Sequence, residues 1–165
     1  MKILSYNSWL AQHRIWRVLF VIIMVAMVIY EGGRPGNAPD GSENWVVSYC
    51  SNLAHQPLFG LVALSFLLAL GKKCRTPQAY LLGVTFALLV GIGDELHQAT
   101  IPFRYSSIWD VGSDVLGATF AILVAGWSDL RGGVFAHLLP MAGLFVLSLL
   151  WNLLPSFAYS YPLPF

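Results

Sequence analysis

The sequence predicts an all-α membrane protein, a polytopic bundle of about five transmembrane helices with its N-terminus in the cytoplasm. Three observations carry this. Of 165 residues, 57% are hydrophobic and only 10% are charged, where a soluble domain carries about 25% charged residues. Long apolar runs recur along the chain, separated by short polar connectors. No alternating pattern of about ten residues marks a membrane strand, and an open sheet edge cannot face lipid. Together with a mean hydropathy of +0.67, this excludes a soluble enzyme, a disordered chain and a nucleic-acid binder working through a basic face. The net charge of +1 averages two membrane faces and points to no partner.

A helix needs roughly 20 mainly apolar residues to cross about 30 Å of hydrocarbon. The first span runs over about 15–30 and contains the unbroken apolar run 18–29. The second covers about 56–70, the third 78–93, the fourth 107–127 and the fifth 134–154. Residues 31–43 are rich in Gly, Pro, Asn and Asp and form a loop. The connectors 71–77 and 128–133 are short, so the helices they join are antiparallel neighbours. The tail after Pro155 is aromatic and proline-rich and is placed at the interface, where Tyr prefers to sit. One domain, 1–165, accounts for the chain.

Orientation follows from the cations. Lys2, Arg14, Arg17, Lys72, Lys73, Arg75 and Arg131 fall on one side, and only Arg34 and Arg104 on the other. The basic-rich side is cytoplasmic. The first span has the basic flank of a signal peptide but no small-residue cleavage site after it, so it is expected to stay attached. Cys50 then lies outside, just before the second helix, and Cys74 inside. They cannot pair within one chain, and a Cys50–Cys50 bond between two chains stays open.

The informative residues are ionisable groups at membrane depth, which are costly in lipid and mark function. Three helix ends meet the outer face. The start of the second carries Asn52, His55 and Gln56. The end of the third carries Asp94, Glu95, His97 and Gln98. The start of the fourth carries Arg104, Ser106, Ser107, Asp110 and Asp114. At 100° per residue, the four polar residues of the third helix share one arc, and Leu96 points away to lipid. Asp110, Asp114, Gly117 and Ala121 form one stripe, acid above and small residues below, suited to close helix contact. Gly91 and Gly93 suit the same approach from the third helix, so the two acidic faces are expected to meet.

Structural roles stand beside functional ones. Ser107 and Asp110 read as a capping box, Arg104 as the ion-pair partner of Asp94 or Glu95, His97 as a cation at a helix C-terminus, and His55 as a cap of the second helix. Asp114 is about 10 Å below Ser107 at 1.5 Å per residue, inside the hydrocarbon, where a carboxylate must be paired or protonated. His13 and His137 read as structural. Three chemistries suit the cluster. His55 or His97 with a carboxylate gives acid–base work. A divalent metal is a further option, although no HExxH or other diagnostic spacing is present and no cofactor is expected. Arg104, His97 and helix N-termini give anion binding, with a lipid head group as the natural anion.

The stretch Gly93-Asp-Glu-Leu-His-Gln-Ala-Thr-Ile-Pro-Phe-Arg104, followed by Ser107-Ile-Trp-Asp-Val-Gly-Ser-Asp-Val-Leu-Gly117, resembles the signature of the VanZ-like membrane proteins. The third helix there carries a D-E-x-H-Q segment before a P-G/F-R turn, and the next helix begins S-x-x-D-V and continues to N/D-x-x-G. An early histidine in the second helix, here His55, completes the likeness, which covers about 51–127. Two positions depart from it. Asn52 stands where a lysine is frequent, and Asp114 stands at the Asn-or-Asp position, so the cluster has one cation fewer and one acid more.

The resemblance implies a multi-pass protein of the bacterial cytoplasmic membrane with a role in the cell envelope, in a family named for resistance to the glycopeptide teicoplanin. Its expected partner is a membrane lipid or lipid-linked cell-wall precursor. His55, Asp94, Glu95 and His97 are the candidate catalytic residues. Gln98, Arg104, Ser107, Asp110 and Asp114 are the candidate binding residues. Four carboxylates beside Arg104 and two histidines cannot all be ionised away from water, so Asp114, the deepest, is expected to be protonated or held by a histidinium. Removing Arg104 is expected to leave acids uncompensated, at roughly 3–5 kcal/mol if the pair is buried.

Overall fold

A computed structural model describes residues 13–35, 45–71, 76–104, 106–126 and 134–160. Within them are five helices: α1 (Arg14–Gly32), α2 (Trp45–Leu70), α3 (Pro77–Gln98), α4 (Ile108–Gly126) and α5 (Val134–Ser160). No strand occurs among the described residues. The expected all-α bundle of five helices is what the chain forms. α1 to α4 each contain a stretch long and apolar enough to cross a membrane, and α5 contributes the apolar segment Pro140–Leu153. The chain is a multi-pass membrane protein. Lys2, residues 36–44, Cys74, the connector 127–133, the tail 161–165 and the His137 side chain lie outside the described residues.

Helix boundaries differ from the sequence reading in an instructive way. α2 begins at Trp45, not near Gln56, and runs through Pro57. Its polar turns around Asn52 and His55 do not end it, because a helix satisfies its own backbone in lipid whatever its side chains are. A proline there removes one N–H, which membrane helices tolerate when neighbours re-satisfy the freed carbonyl. Cys50 is therefore an exposed residue of α2 and not of a preceding loop. α5 likewise passes through Pro155 to Ser160. α3 starts at Pro77, which the sequence reading left in the connector, with the Thr76 hydroxyl accepting from the Ala79 N–H at 3.1 Å.

α2 is the central helix. It packs against all four others, most extensively against α4. The core is built from Val28 of α1, Phe59, Val62, Ala63 and Leu67 of α2, Ala87 of α3, and Ala118 and Ile122 of α4. Small residues set the α2–α4 spacing. Gly117 lies directly on the Gln56 backbone, and Gly60 lies against Ala121. The stripe below Asp110 and Asp114 thus faces α2, whereas the sequence reading turned it toward α3. Of the two α3 glycines, Gly91 is buried against the Asp114 carboxylate, while Gly93 has open space where a side chain would go. They are two residues apart, about 200° around a helix, so one face cannot hold both.

The opposite end of the bundle has its own clasp. The Arg17 guanidinium donates to the Leu68 carbonyl at 3.3 Å and packs over Gly71, whose φ of 66° lets the chain leave α2. A cation on the last carbonyls of a helix opposes its dipole favourably.

These contacts separate two glycines that look alike in sequence. Gly117→Ala forces a methyl into the Gln56 backbone and is expected to cost about 1–3 kcal/mol. Gly93→Ala meets nothing and is expected to be neutral, or stabilising by up to about 1 kcal/mol through helix propensity. Thermal unfolding of both variants in detergent checks the contrast.

Candidate functional site

Because consecutive helices alternate in direction, the C-terminal ends of α1, α3 and α5 share one end of the bundle with the N-terminal halves of α2 and α4. Every candidate residue lies at that end. Asp94, Glu95, Gln98, Ser107 and Asp114 are buried; His55, His97, Arg104 and Asp110 are partly so. Leu96 is 68% exposed, on the lipid side as its helical phase requires.

The centre of the site is a pair across α2 and α4. His55 Nδ1 lies 3.1 Å from Asp114 Oδ1, with the carboxylate side chain 1% exposed and the imidazole 20% exposed. His55 is therefore not a cap of α2. It sits ten residues after Trp45, about 15 Å along the helix, and stacks in parallel on Phe59 with ring centroids 6.1 Å apart. Asp114 is walled on its other side by Gly91 of α3. An ionised carboxylate only accepts, so with Asp114 ionised the Nδ1 proton belongs to this contact, and the far ring nitrogen is left to exchange a proton elsewhere.

Glu95 forms the second contact. Its Oε2 accepts from the Ser107 backbone N–H at 2.5 Å. In a capping box that N–H would be satisfied by the acid three residues on, and Ser107 Oγ would cap the helix in return. Neither occurs: the acid comes from α3, and the buried Ser107 hydroxyl makes no hydrogen bond. The expected Ser107–Asp110 box is replaced by a bond between helices, because the turn folds the α3 end back onto the α4 start.

Asp94 is the third. Its Oδ2 accepts from Gln98 Nε2 at 2.8 Å, which also reaches Glu95 Oε1 at 3.5 Å. Asp94 Oδ1 is buried without a partner and packs on Gly32 of α1. His97, one turn further on, sits against Gly33. Two adjacent glycines at the end of α1 thus admit an acid and an imidazole from α3. Asp110, partly buried in the first turn of α4, completes the acidic set.

Arg104 departs most from expectation. It joins no carboxylate within ion-pair distance; the described ion pairs are His55–Asp114 and the exposed Arg34–Glu31. Instead its Nη2 donates to the Glu31 carbonyl at 2.7 Å and its Nε to the Arg34 carbonyl at 3.1 Å. It closes the C-terminus of α1, where a cation is favoured. The turn before it explains the reach. Arg104 N–H returns to the Ile101 carbonyl at 3.2 Å, with Pro102 second and Phe103 third at a φ of 61°. The third position of such a turn normally takes glycine. Beside it, the hydrogen bond and charge of Glu31 push the Arg34 guanidinium further up.

Sequence reasoning missed a polar seam joining α5 to this end. Gln56 Nε2 donates to the Ser148 carbonyl at 3.1 Å, and the Ser148 hydroxyl donates back to Gln56 Oε1. Asn152 Nδ2 donates to the same carbonyl at 2.8 Å, and Ser113 Oγ donates to Asn152 Oδ1 at 2.8 Å. The available signal was Ser148 and Asn152 four residues apart in an apolar segment, hence on one face. Among the described residues no group of three His, Cys, Asp or Glu is placed to hold a metal ion.

The chain matches no family model, no curated protein and no solved structure.

The changed roles change the expected effects. Arg104→Ala is expected to cost about 1 kcal/mol, the worth of a helix-terminal cation, and not the larger penalty of a stranded buried acid. Glu95→Ala should cost about 1 kcal/mol as a lost cap, whereas Glu95→Gln keeps an acceptor oxygen for Ser107 and should retain most of that. Thermal unfolding in detergent measures all three.

Proposed function

We propose that this end of the bundle is a recognition site for a lipid or lipid-linked head group, with His55 as its proton-exchanging group. One observation supports the reading above the rest: a buried carboxylate lies within hydrogen-bond distance of an imidazole that stays partly exposed. A carboxylate at Nδ1 fixes the ring orientation and leaves the other nitrogen to exchange a proton. That is the arrangement of general acid–base chemistry. Arg104 retains Nη1 outside its bonds to the Glu31 and Arg34 carbonyls, at the rim where a head-group phosphate would arrive.

The motif likeness over 51–127 supports placing the chain among the VanZ-like proteins of the bacterial cytoplasmic membrane, in a cell-envelope role linked to glycopeptides. The seven-to-two division of Lys and Arg supports an external position for the site. A second reading has its own support. Asp94, Glu95 and Asp114 each accept a hydrogen bond from within the protein, as expected of polar residues that join helices.

Purified protein in nanodiscs, offered radiolabelled lipid-linked phosphate, separates these. Catalysis gives turnover that His55→Ala abolishes and Asp114→Ala lowers by about 10²-fold or more. A binder gives His55-dependent retention of the lipid without product. If His55→Ala lowers thermal stability but neither turnover nor retention exists in the wild type, the cluster only joins helices.

A further inference from the structure

On the opposite face of α4 from Asp114, the bundle has an apolar groove of about 530 Å³. Trp109, Gly112, Val115 and Leu116 of α4 form one wall, and Leu147 and Trp151 of α5 the other. The Trp151 indole N–H is already taken up by the Trp109 carbonyl at 2.9 Å, and the two rings pack with centroids 4.9 Å apart. Gly112 has no side chain because Trp151 occupies that space. The lining is otherwise hydrocarbon, so an occupant without polar groups suits it. An engineered apolar cavity of about 150 Å³ already accepts benzene, so this groove takes something considerably longer.

Its length and position identify the occupant. The groove follows α4 from Ile108 to Leu116, about 12 Å at 1.5 Å per residue. One leaflet of hydrocarbon is about 15 Å deep, half of a 30 Å core. It begins at the α4 N-terminus, on the rim of the polar end, and stops near mid-span. A groove confined to one half of the membrane matches the reach of one lipid chain of one leaflet. We propose that this groove holds one acyl chain of a membrane lipid, whose head group then lies over the α4 N-terminus. The tail site rests on the reading of the polar end as a head-group site, and gives that ligand its class: a lipid with an acyl chain, bound from one leaflet.

Photolabelling tests it. The full chain is placed in phosphatidylethanolamine–phosphatidylglycerol nanodiscs containing phosphatidylglycerol with a diazirine on one acyl chain, and in a parallel arm a diazirine-bearing alkane with no head group. Adducts are mapped by mass spectrometry. Labelling of Val115, Leu116 and Leu147 several-fold above that of Leu81, Leu82 and Leu89, which are exposed on α3, supports the tail site. Leu147→Trp, which fills the groove, should then remove the excess. If the phospholipid exceeds the alkane and His55→Ala removes that difference, the head-group reading holds too. If both label the groove equally and His55→Ala changes nothing, the tail site stands and the head-group reading fails. Labelling no stronger than on α3 overturns the proposal, as does a disulfide between two copies carrying Val115→Cys with Cys50→Ser and Cys74→Ser, which would assign the groove to a second chain.

Discussion

The α2–α4 contact is the constraint on which the rest of the polar end depends. Lipid offers no hydrogen bonds, so a carboxylate at the depth of Asp114 needs a partner within the protein. His55 can be that partner at 3.1 Å only because Gly117 and Gly60 let the two helices approach to backbone contact. Gly91 closes the third side by making room for the same carboxylate. A methyl group at the seam would separate the helices and lengthen the pair, so the glycines are part of the site although none carries chemistry.

Around this pair, the acids are divided among different tasks. Asp114 orients an imidazole, Glu95 caps the neighbouring helix and Asp94 rests between Gln98 and the end of α1. Sharing the acids among separate partners keeps them from competing for one cation, which matters where Arg104 is engaged elsewhere. Arg104 and Arg17 act as a matched pair on opposite ends of the bundle. Each places a guanidinium on carbonyls at or beyond the end of a helix, Arg104 on α1 and Arg17 on α2. The cations thereby lie near the two membrane faces, and the long apolar stems of such side chains can lie along the helices.

The exterior follows a different rule. Ile22, Ile23, Leu81, Leu89 and Leu150 are more than half exposed, as lipid-facing residues should be, since lipid gives no hydrophobic incentive to bury them. What holds α5 in place is therefore not apolar burial alone. The seam of Gln56, Ser113, Ser148 and Asn152 ties it to α2 and α4 through directed bonds. The apolar groove lies on the other side of the same α4–α5 contact, where the one directed bond described is from the Trp151 indole to the Trp109 carbonyl.

The sequence alone determined the class of the molecule, the number of helices and the end of the bundle where the polar residues gather. Hydrophobic runs and turn residues are local, and the alternation of antiparallel helices brings Asp94, Glu95, His55 and Asp114 to one end by topology. The helical phase of Leu96 was local too. Only the tertiary structure decided the partners. Whether Arg104 met an acid or the carbonyls of α1, and whether Ser107 N–H was satisfied by Asp110 or by Glu95, depended on how the turn at Phe103 redirects the chain. The start of α2 at Trp45 was hidden because polar residues and Pro57 resemble a helix end in water. Gly91 and Gly93 look equivalent in sequence, but their roles depend on which face of α3 meets Asp114. Such choices rest on contacts between residues far apart in the chain, which local patterns do not encode.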